Sequence, residues 1–405
     1  MTESIDNQLQ TQIDGQLMEQ GAFTPLDLLL SSGRLTYIDY EQWRQGNQPY
    51  LDETLLGSPK RIRQQLDAAV AYAKQIGLVE DEQEFTCWDN TGSKLRLSAD
   101  DEMHHLLSLR FVSVQNEPQM DMFFDNPVVV LVNDIVAALV SRSLADAERA
   151  LDNLYQQSPN HADLAMFDQM VSALGRSQGP CGDTQAELSS VQELSGHAKR
   201  LLSAQYREYL IPLWRYLAKA LEGVAFDPEQ PQHHSSYVLA RAEDWPGVSH
   251  AVNQSPLWQQ QPVLCLRLAE SGLRRQQRIE AITAWCYLCW LHPQVAEESL
   301  NEGGQGDRNV SDLWHRFLDL EDTLELDEPL EIGVFPAWLL LAEPGLAQSL
   351  PEKLPLREDR AAQLFGVCHR LVKARLAADG DREMGLRGEL QQLEPALVDF
   401  LKSRV

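Results

Sequence analysis

Ala281-Ile282-Thr283-Ala284-Trp285-Cys286-Tyr287-Leu288-Cys289-Trp290-Leu291-His292-Pro293 is the stretch that decides the fold. Ala281, Trp285 and Leu288 recur at helical steps, so they share one face, and Pro293 falls where that helix must stop. Ala147, Leu151, Leu154 and Pro159 repeat the spacing earlier in the chain. A small residue lets a neighbouring helix approach closely, the bulky pair fills the groove between helices, and the proline lets the chain turn back. The pattern predicts a mainly α protein built from packed helix pairs.

These positions resemble the second helix of a tetratricopeptide unit. Leu268, Ala269 and Gly272 fall where such units carry a large residue, a small residue and a third packing position on the first helix. In the earlier copy the corresponding residues are Asp134, Ile135 and Ala138, so the small position is lost. The likeness covers roughly two units of about 34 residues, and since about three neighbours are needed for stability, other helices must complete the stack. The resemblance implies a helical-repeat array whose surface recognises a protein or peptide. Any antiparallel helix pair accommodates Ala, Leu and Pro in this order, and that plainer reading stands beside it.

Composition narrows the class. A chain of 405 residues has ample length for two or three domains with their own cores. The most apolar segment, Pro127 to Val140, is interrupted by Asn133 and Asp134, so no membrane span is expected. The start, Met1 to Asp6, has neither a basic cluster nor an apolar run. Six cysteines, at 87, 181, 265, 286, 289 and 368, form no disulfide framework. Together these features predict a cytoplasmic protein. A net charge of −26 disfavours phosphate backbones and so nucleic acid, and points to basic partners or simply to solubility. The acid concentrates at Asp319, Glu321, Asp322, Glu325, Asp327, Glu328 and Glu331, near Pro329, a run that reads as a solvated face or a docking strip.

Three segments are expected: an N-terminal α+β module over 1–125, a helical-repeat region over 126–225 and a second one over 236–405. Residues 1–22 are polar and Gln-rich, weakly helical at most. Helices are expected at Pro25–Leu30 and Tyr37–Arg44, then one capped by Ser58-Pro59, carrying Ile62, Leu66, Val70 and Ala73 on one face and closed by Gly77. Glu84–Trp88 and Leu95–Ser98 flank Asp89-Asn90-Thr91-Gly92 and read as a β-hairpin. Three helices and a hairpin give a winged-helix-like outline. Its third helix carries only Lys60, Arg61, Arg63 and Lys74, which favours a packing module over a DNA reader.

Three helices are expected between Asn126 and Gly175, the last with Leu164, Phe167, Val171 and Leu174 on one face. A link over 176–190 follows, then one long helix or two from Glu193 to Gly223, bent at Pro212. The run Asp227 to His234 marks a domain boundary. Beyond it the chain is helical, interrupted over 301–306, and ends in one helix with Leu386, Leu390, Leu393, Leu397 and Phe400 as its apolar stripe. Trp245, Trp258, Trp285, Trp290, Trp314 and Trp338 read as wedges between helices, some of them able to line a peptide groove.

One short motif has partner-level specificity. Gln119-Met120-Asp121-Met122-Phe123 resembles the bacterial sliding-clamp-binding peptide, in which Gln is followed by an aliphatic residue, Ser or Asp, Leu and Phe. The resemblance gives Gln119 a hydrogen bond at the rim of the clamp's pocket, and Met122 and Phe123 the apolar filling. Methionine replaces leucine in this copy and is adaptable enough to occupy the same space. The alternative is a connector that packs Phe123 and Phe124 into the protein's own core.

Catalytic and cofactor motifs are not legible. Cys286 and Cys289 are a single Cys-x-x-Cys within the tryptophan-rich helix, without a second pair at zinc spacing, and read as core. His104-His105, His233-His234 and Cys368-His369 are sequence neighbours whose side chains diverge, so none makes a metal pair. The sequence therefore predicts a non-catalytic, cofactor-free scaffold or adaptor. Its rival is an accessory factor of DNA replication or repair, tethered to the sliding clamp through Gln119 to Phe123.

Overall fold

The computed structural model describes residues 2–20, 22–88, 93–113, 127–326, 328–352 and 359–403. The protein is mainly helical with a small three-stranded sheet. It divides into two compact units, one formed by Met1–Val224 with Gln232–Asp244 and the other by Ala225–Pro231 with Trp245–Val405. Residues of both segments expected at 1–125 and 126–225 lie in the first unit.

The first unit begins with α1 (Thr2–Gln20) and β1 (Ala22–Phe23). The Gln-rich start is a full helix rather than a weakly helical tail, because Leu9 and Ile13 are buried and α1 packs on β1 and on α4 (Pro59–Gln75). Tertiary burial overrides a weak local pattern here. Between them lie α2 (Pro25–Ser31) and α3 (Tyr37–Arg44). Thr24 and Thr36 cap these two helices by accepting from the amides of Asp27 and Asp39, which satisfies donors that a helix start leaves open. Gly77 follows α4 at φ +79°, a left-handed turn that suits glycine.

The sheet was not expected in this form. Its strands are β1, β2 (Leu78–Glu82) and β3 (Leu109–Ser113), antiparallel in the order β1-β3-β2, with α5 (Asp101–Ser108) leading into β3. Phe23 pairs with Phe111 in register, their rings stacked at 5.8 Å in the core. The acidic β2, Leu-Val-Glu-Asp-Glu, is largely exposed and carries no alternating apolar signal. The expected hairpin is present as paired flanks. Cys87 N–H donates to Ser93 O, Leu95 N–H donates to Phe85 O, and Thr86 bridges Lys94. Its turn, Asp89 to Gly92, lies outside the described residues.

The rest of this unit is a succession of helices, each packed on the next: α6 (Pro127–Val140), α7 (Leu144–Gln157), α8 (Leu164–Arg176), α9 (Thr184–Leu202), α10 (Tyr206–Ala220) and α11 (Ser235–Arg241). The short link between α6 and α7 turns through Arg142 at φ +59°, and Ala147, Leu151 and Leu154 are buried on α7. One expectation is corrected. The link after α8 ends early, because Asp183 caps α9 by accepting from Ala186 N–H. The stretch from Glu193 to Gly223 is two helices divided at Ser203, φ +47°, and Pro212 sits inside α10. There it leaves the carbonyl of Glu208 without its helical donor.

The second unit contains α12 (Trp245–Gln254), α13 (Pro262–Arg274), α14 (Arg278–Leu291), α15 (Pro293–Asn301), α16 (Arg308–Leu318), α17 (Leu320–Thr323), α18 (Phe335–Ala342), α19 (Leu346–Ser349), α20 (Arg360–Leu376), α21 (Gly380–Leu393) and α22 (Pro395–Ser403). Ala281, Trp285 and Leu288 are all buried on α14, and Pro293 opens α15. The pairing of α13 with α14 is close enough that a Cβ on Gly272 would lie 2.7 Å from Ala281 N and 3.0 Å from Ala281 Cβ. A further correction concerns the C-terminus. Leu386 to Phe400 do not form one helix, because Pro395 ends α21 and starts α22.

Aromatic side chains tie this unit together. Trp290 meets Phe365 edge-on at 5.3 Å, Trp314 meets Phe335 at 5.3 Å, and Trp338 contacts Phe400 at 5.8 Å. Each fully buried ring removes enough apolar surface to contribute about 1.5–3 kcal/mol, so these contacts rather than local propensity hold α14, α16, α18, α20 and α22 in place. The expectation of tryptophans on a peptide-binding surface is corrected accordingly: Trp258, Trp285, Trp290, Trp314 and Trp338 are buried, and Trp245 is half-buried.

Gly272→Ala should destabilise the protein by about 1–3 kcal/mol through overpacking against the backbone of Ala281. Gly388→Ala, on α21 with nothing within 4 Å, should instead stabilise it by about 0.5–1 kcal/mol. Urea unfolding followed by tryptophan fluorescence checks both; effects of the same sign would contradict the close α13–α14 approach.

Candidate functional site

Two concave regions stand out, one in each unit. The first is a crevice of about 300 Å³ where α2, α3 and the 83–86 segment meet α10. Local sequence places its charges: Asp27 lies in the first turn of α2, Tyr40 and Arg44 are one turn apart on α3, and Arg207 and Glu208 open α10. All six side chains that matter here, Asp27, Tyr37, Tyr40, Arg44, Arg207 and Glu208, are more than nine-tenths buried.

Arg207 donates to Asp27 at 2.7 Å and to Glu243 at 2.9 Å. Glu208 accepts through Oε1 from the Tyr40 hydroxyl at 2.6 Å and from Arg44 at 3.1 Å, and Arg44 also donates to the Tyr40 oxygen at 2.9 Å. The Arg44 guanidinium lies over the Trp88 ring, 4.8 Å from its centre. Burial pushes the Asp27 carboxyl above its ordinary value against the pull of Arg207, and does the same to Glu208 against Arg44. Burial, and then the Glu208 carboxylate, push Tyr40 well up. Desolvation by itself would lower Arg207, but Glu243 and Asp27 override it and raise its pKa. Tyr37 Oη, Arg44 Nε and Glu208 Oε2 are buried without a hydrogen-bond partner among the described residues. This is a set of paired charges with little freedom to exchange protons, and its geometry suits a lock between helices better than a general acid or base.

The second region is a more open cleft of about 630 Å³ in the C-terminal unit. Trp290 and Trp314 lie beneath it, and Pro293, Leu318, Leu330 and Ile332 wall it. Both indole N–H groups are engaged, Trp290 donating to Gly333 O at 3.2 Å and Trp314 to Asn301 Oδ1 at 2.8 Å. What the cleft offers is therefore apolar. Leu318, at the end of α16, is 44% exposed. Glu297 and Glu331 stand at the mouth, both exposed, with Arg360 beside them. Arg360 donates to Leu393 O and to Glu394 at 2.9 Å each and lies 4.0 Å from Glu331, so its charge is already matched.

The residues singled out in the sequence fall as follows. Gln119, Met120, Asp121, Met122 and Phe123 lie outside the described residues. Cys286 and Cys289 are buried in α14. Burial pushes the Cys286 thiol up to about 12 and Cys289 well above its usual value, which keeps both protonated and unreactive. His104 Nδ1 accepts from Leu97 N–H, His234 caps α11, and His369 is buried with Nε2 2.9 Å from Leu350 O. Among the described residues no cluster of His, Cys, Asp and Glu could hold a metal ion, and no helix is long and apolar enough to cross a membrane. Sequence reading missed both regions. The acidic run ending at Glu331 was the only signal for the second, and nothing local marked Arg207 and Glu208 as partners of α2 and α3.

No family model, no curated protein and no solved structure matches the chain.

A carboxyl that holds its proton more tightly in the folded chain contributes fully at and below its unfolded value, 4.5 for Glu208, and loses that contribution as pH rises towards the folded value. Denaturation of wild type and Glu208→Gln from about pH 4 to about pH 8 should therefore show the difference moving in favour of the variant as pH rises. A difference independent of pH would contradict a carboxyl held above its ordinary range.

Proposed function

We propose that this protein is a non-catalytic interaction scaffold, a helical-repeat array of tetratricopeptide-like hairpins that holds a protein or peptide partner. The observation that carries the reading is the α13–α14 hairpin. Gly272 and Ala281 stand against each other without room for a further methyl group, and Ala281, Trp285 and Leu288 fill one buried face. Ala138 and Ala147 occupy the matching places in the α6–α7 hairpin, both buried. Stacked hairpins of this kind present a surface that is read by side-chain complementarity rather than by chemistry on a substrate. The N-terminal sheet and its helices serve on this reading as a packing module with a winged-helix-like outline. Its described surface is rich in acid, with Glu80, Asp81, Glu82 and Glu84 exposed, which suits a protein partner better than a phosphate backbone.

Affinity purification of the tagged full chain, followed by reconstitution of the recovered protein with purified chain, tests the scaffold. The expected result is a complex of fixed stoichiometry that survives gel filtration. A chain that stays alone and turns over a small-molecule substrate would refute it.

The second reading rests on the sequence of Gln119 to Phe123. It makes the protein an accessory factor tethered to a bacterial sliding clamp. Purified clamp should be retained by the wild-type chain, and retention should fall by at least about tenfold in Gln119→Ala and Phe123→Ala. Retention that neither substitution changes removes this reading.

A further inference from the structure

We infer that the cleft of the C-terminal unit docks a basic, amphipathic peptide segment, with aliphatic or aromatic side chains seated against Leu318, Pro329, Leu330 and Ile332 and Lys or Arg side chains at the acidic rim. This rests on the scaffold reading and names the chemistry of the partner.

Three observations converge on that occupant. The first is size and lining. About 630 Å³ lies within the range of ligand clefts and accommodates a few side chains of an extended or helical peptide, not a folded domain. Leu318 and Pro329 are exposed and Leu330 and Ile332 half-buried, so apolar surface remains for a partner to cover. The second is the state of the tryptophans. Both rings are buried beneath the cleft and both indole N–H groups are already bonded, so the floor leaves no donor stranded when a partner covers the apolar wall and water is expelled.

Charge is the third. From Asp319 to Glu331 the chain carries seven acidic residues and no basic one. Glu297 adds another carboxylate on the facing side of the mouth and makes no ion pair among the described residues. The cation in the lining, Arg360, is matched by Glu394 and Glu331. An acidic or phosphorylated ligand would meet net repulsion there, and so would a second copy of this chain, whose charge is −26. A basic segment gains both the apolar burial and the rim attraction. The attraction should weaken with salt, because the rim is exposed.

The test uses the folded full-length protein and a fluorescent peptide of about ten residues in which Leu and Trp alternate with Lys and Arg, read by anisotropy. Saturable binding is expected, weakened by added salt. Leu318→Ser should weaken it several-fold, and so should Glu297→Lys. Asp381→Lys, an equal kind of charge change on the exposed face of α21, should leave it unchanged. Circular dichroism and melting temperature show that each variant is folded.

Equal weakening by Asp381→Lys would overturn the proposal, since binding would then follow net charge and not the cleft. Undiminished binding to Leu318→Ser would also overturn it, as would equal binding of a peptide with Glu and Asp in place of Lys and Arg. Self-association abolished by Leu318→Ser would make the occupant a second copy and sink the peptide. If the probe fails while the full chain still forms its purified complex, the cleft proposal falls and the scaffold reading stands.

Discussion

The contact of α10 with α2 and α3 is made through charge, and the architecture of the N-terminal unit depends on it. Arg207 joins Asp27 to Glu243, and Glu208 joins Tyr40 to Arg44, all with little access to water. Desolvating such groups costs several kcal/mol per ion, and their mutual attraction returns this only where the geometry is good. An apolar contact of equal area would tolerate sliding by part of a turn. Fixed donors and acceptors do not, so the ionic pairs set the register of residues more than 160 positions apart in sequence. The Trp88 ring over Arg44 brings the hairpin flank into the same arrangement.

The C-terminal unit follows a different physical rule. Its helices are held by rings and by the removal of bulk. Trp290, Phe365, Trp314, Phe335, Trp338 and Phe400 touch in pairs from one helix to the next, and Gly272 lets α13 approach Ala281 where any side chain would force the helices apart. The cleft exists because this aromatic packing stops short at the ends of α14 and α16. There Pro293 and Leu318 face the loop that runs from Pro329 to Gly333. Apolar surface left open beside concentrated like charge is a feature that folding alone does not need. For that reason we place the proposed docking of a peptide at the cleft and not at the neutralised crevice of the first unit.

Helices with strong periodicity were legible in the amino-acid sequence. Pro25–Ser31, Tyr37–Arg44 and Pro59–Gln75 were expected close to where they lie, although Ser58 makes no side-chain capping bond to the third, and the two Ala-bulky-bulky-Pro stretches state their own buried faces. Misread elements share a cause. The helix over Thr2–Gln20 and the strand Leu78–Glu82 are polar segments that become regular only because something distant covers or pairs them. The break at Ser203 and the division at Pro395 turned on a backbone angle and on a proline inside an otherwise continuous stripe.

By itself the sequence determined the helical class, the two close-packed hairpins, the acidity of the surface and the buried thiols of Cys286 and Cys289, because each is encoded in residues a few positions apart. Which charges would be buried together, which tryptophans would be covered and where a cleft would remain were decided by tertiary structure. Those outcomes depend on which distant faces meet, and the cost of burying a charge or a ring is set by the partner it finds there.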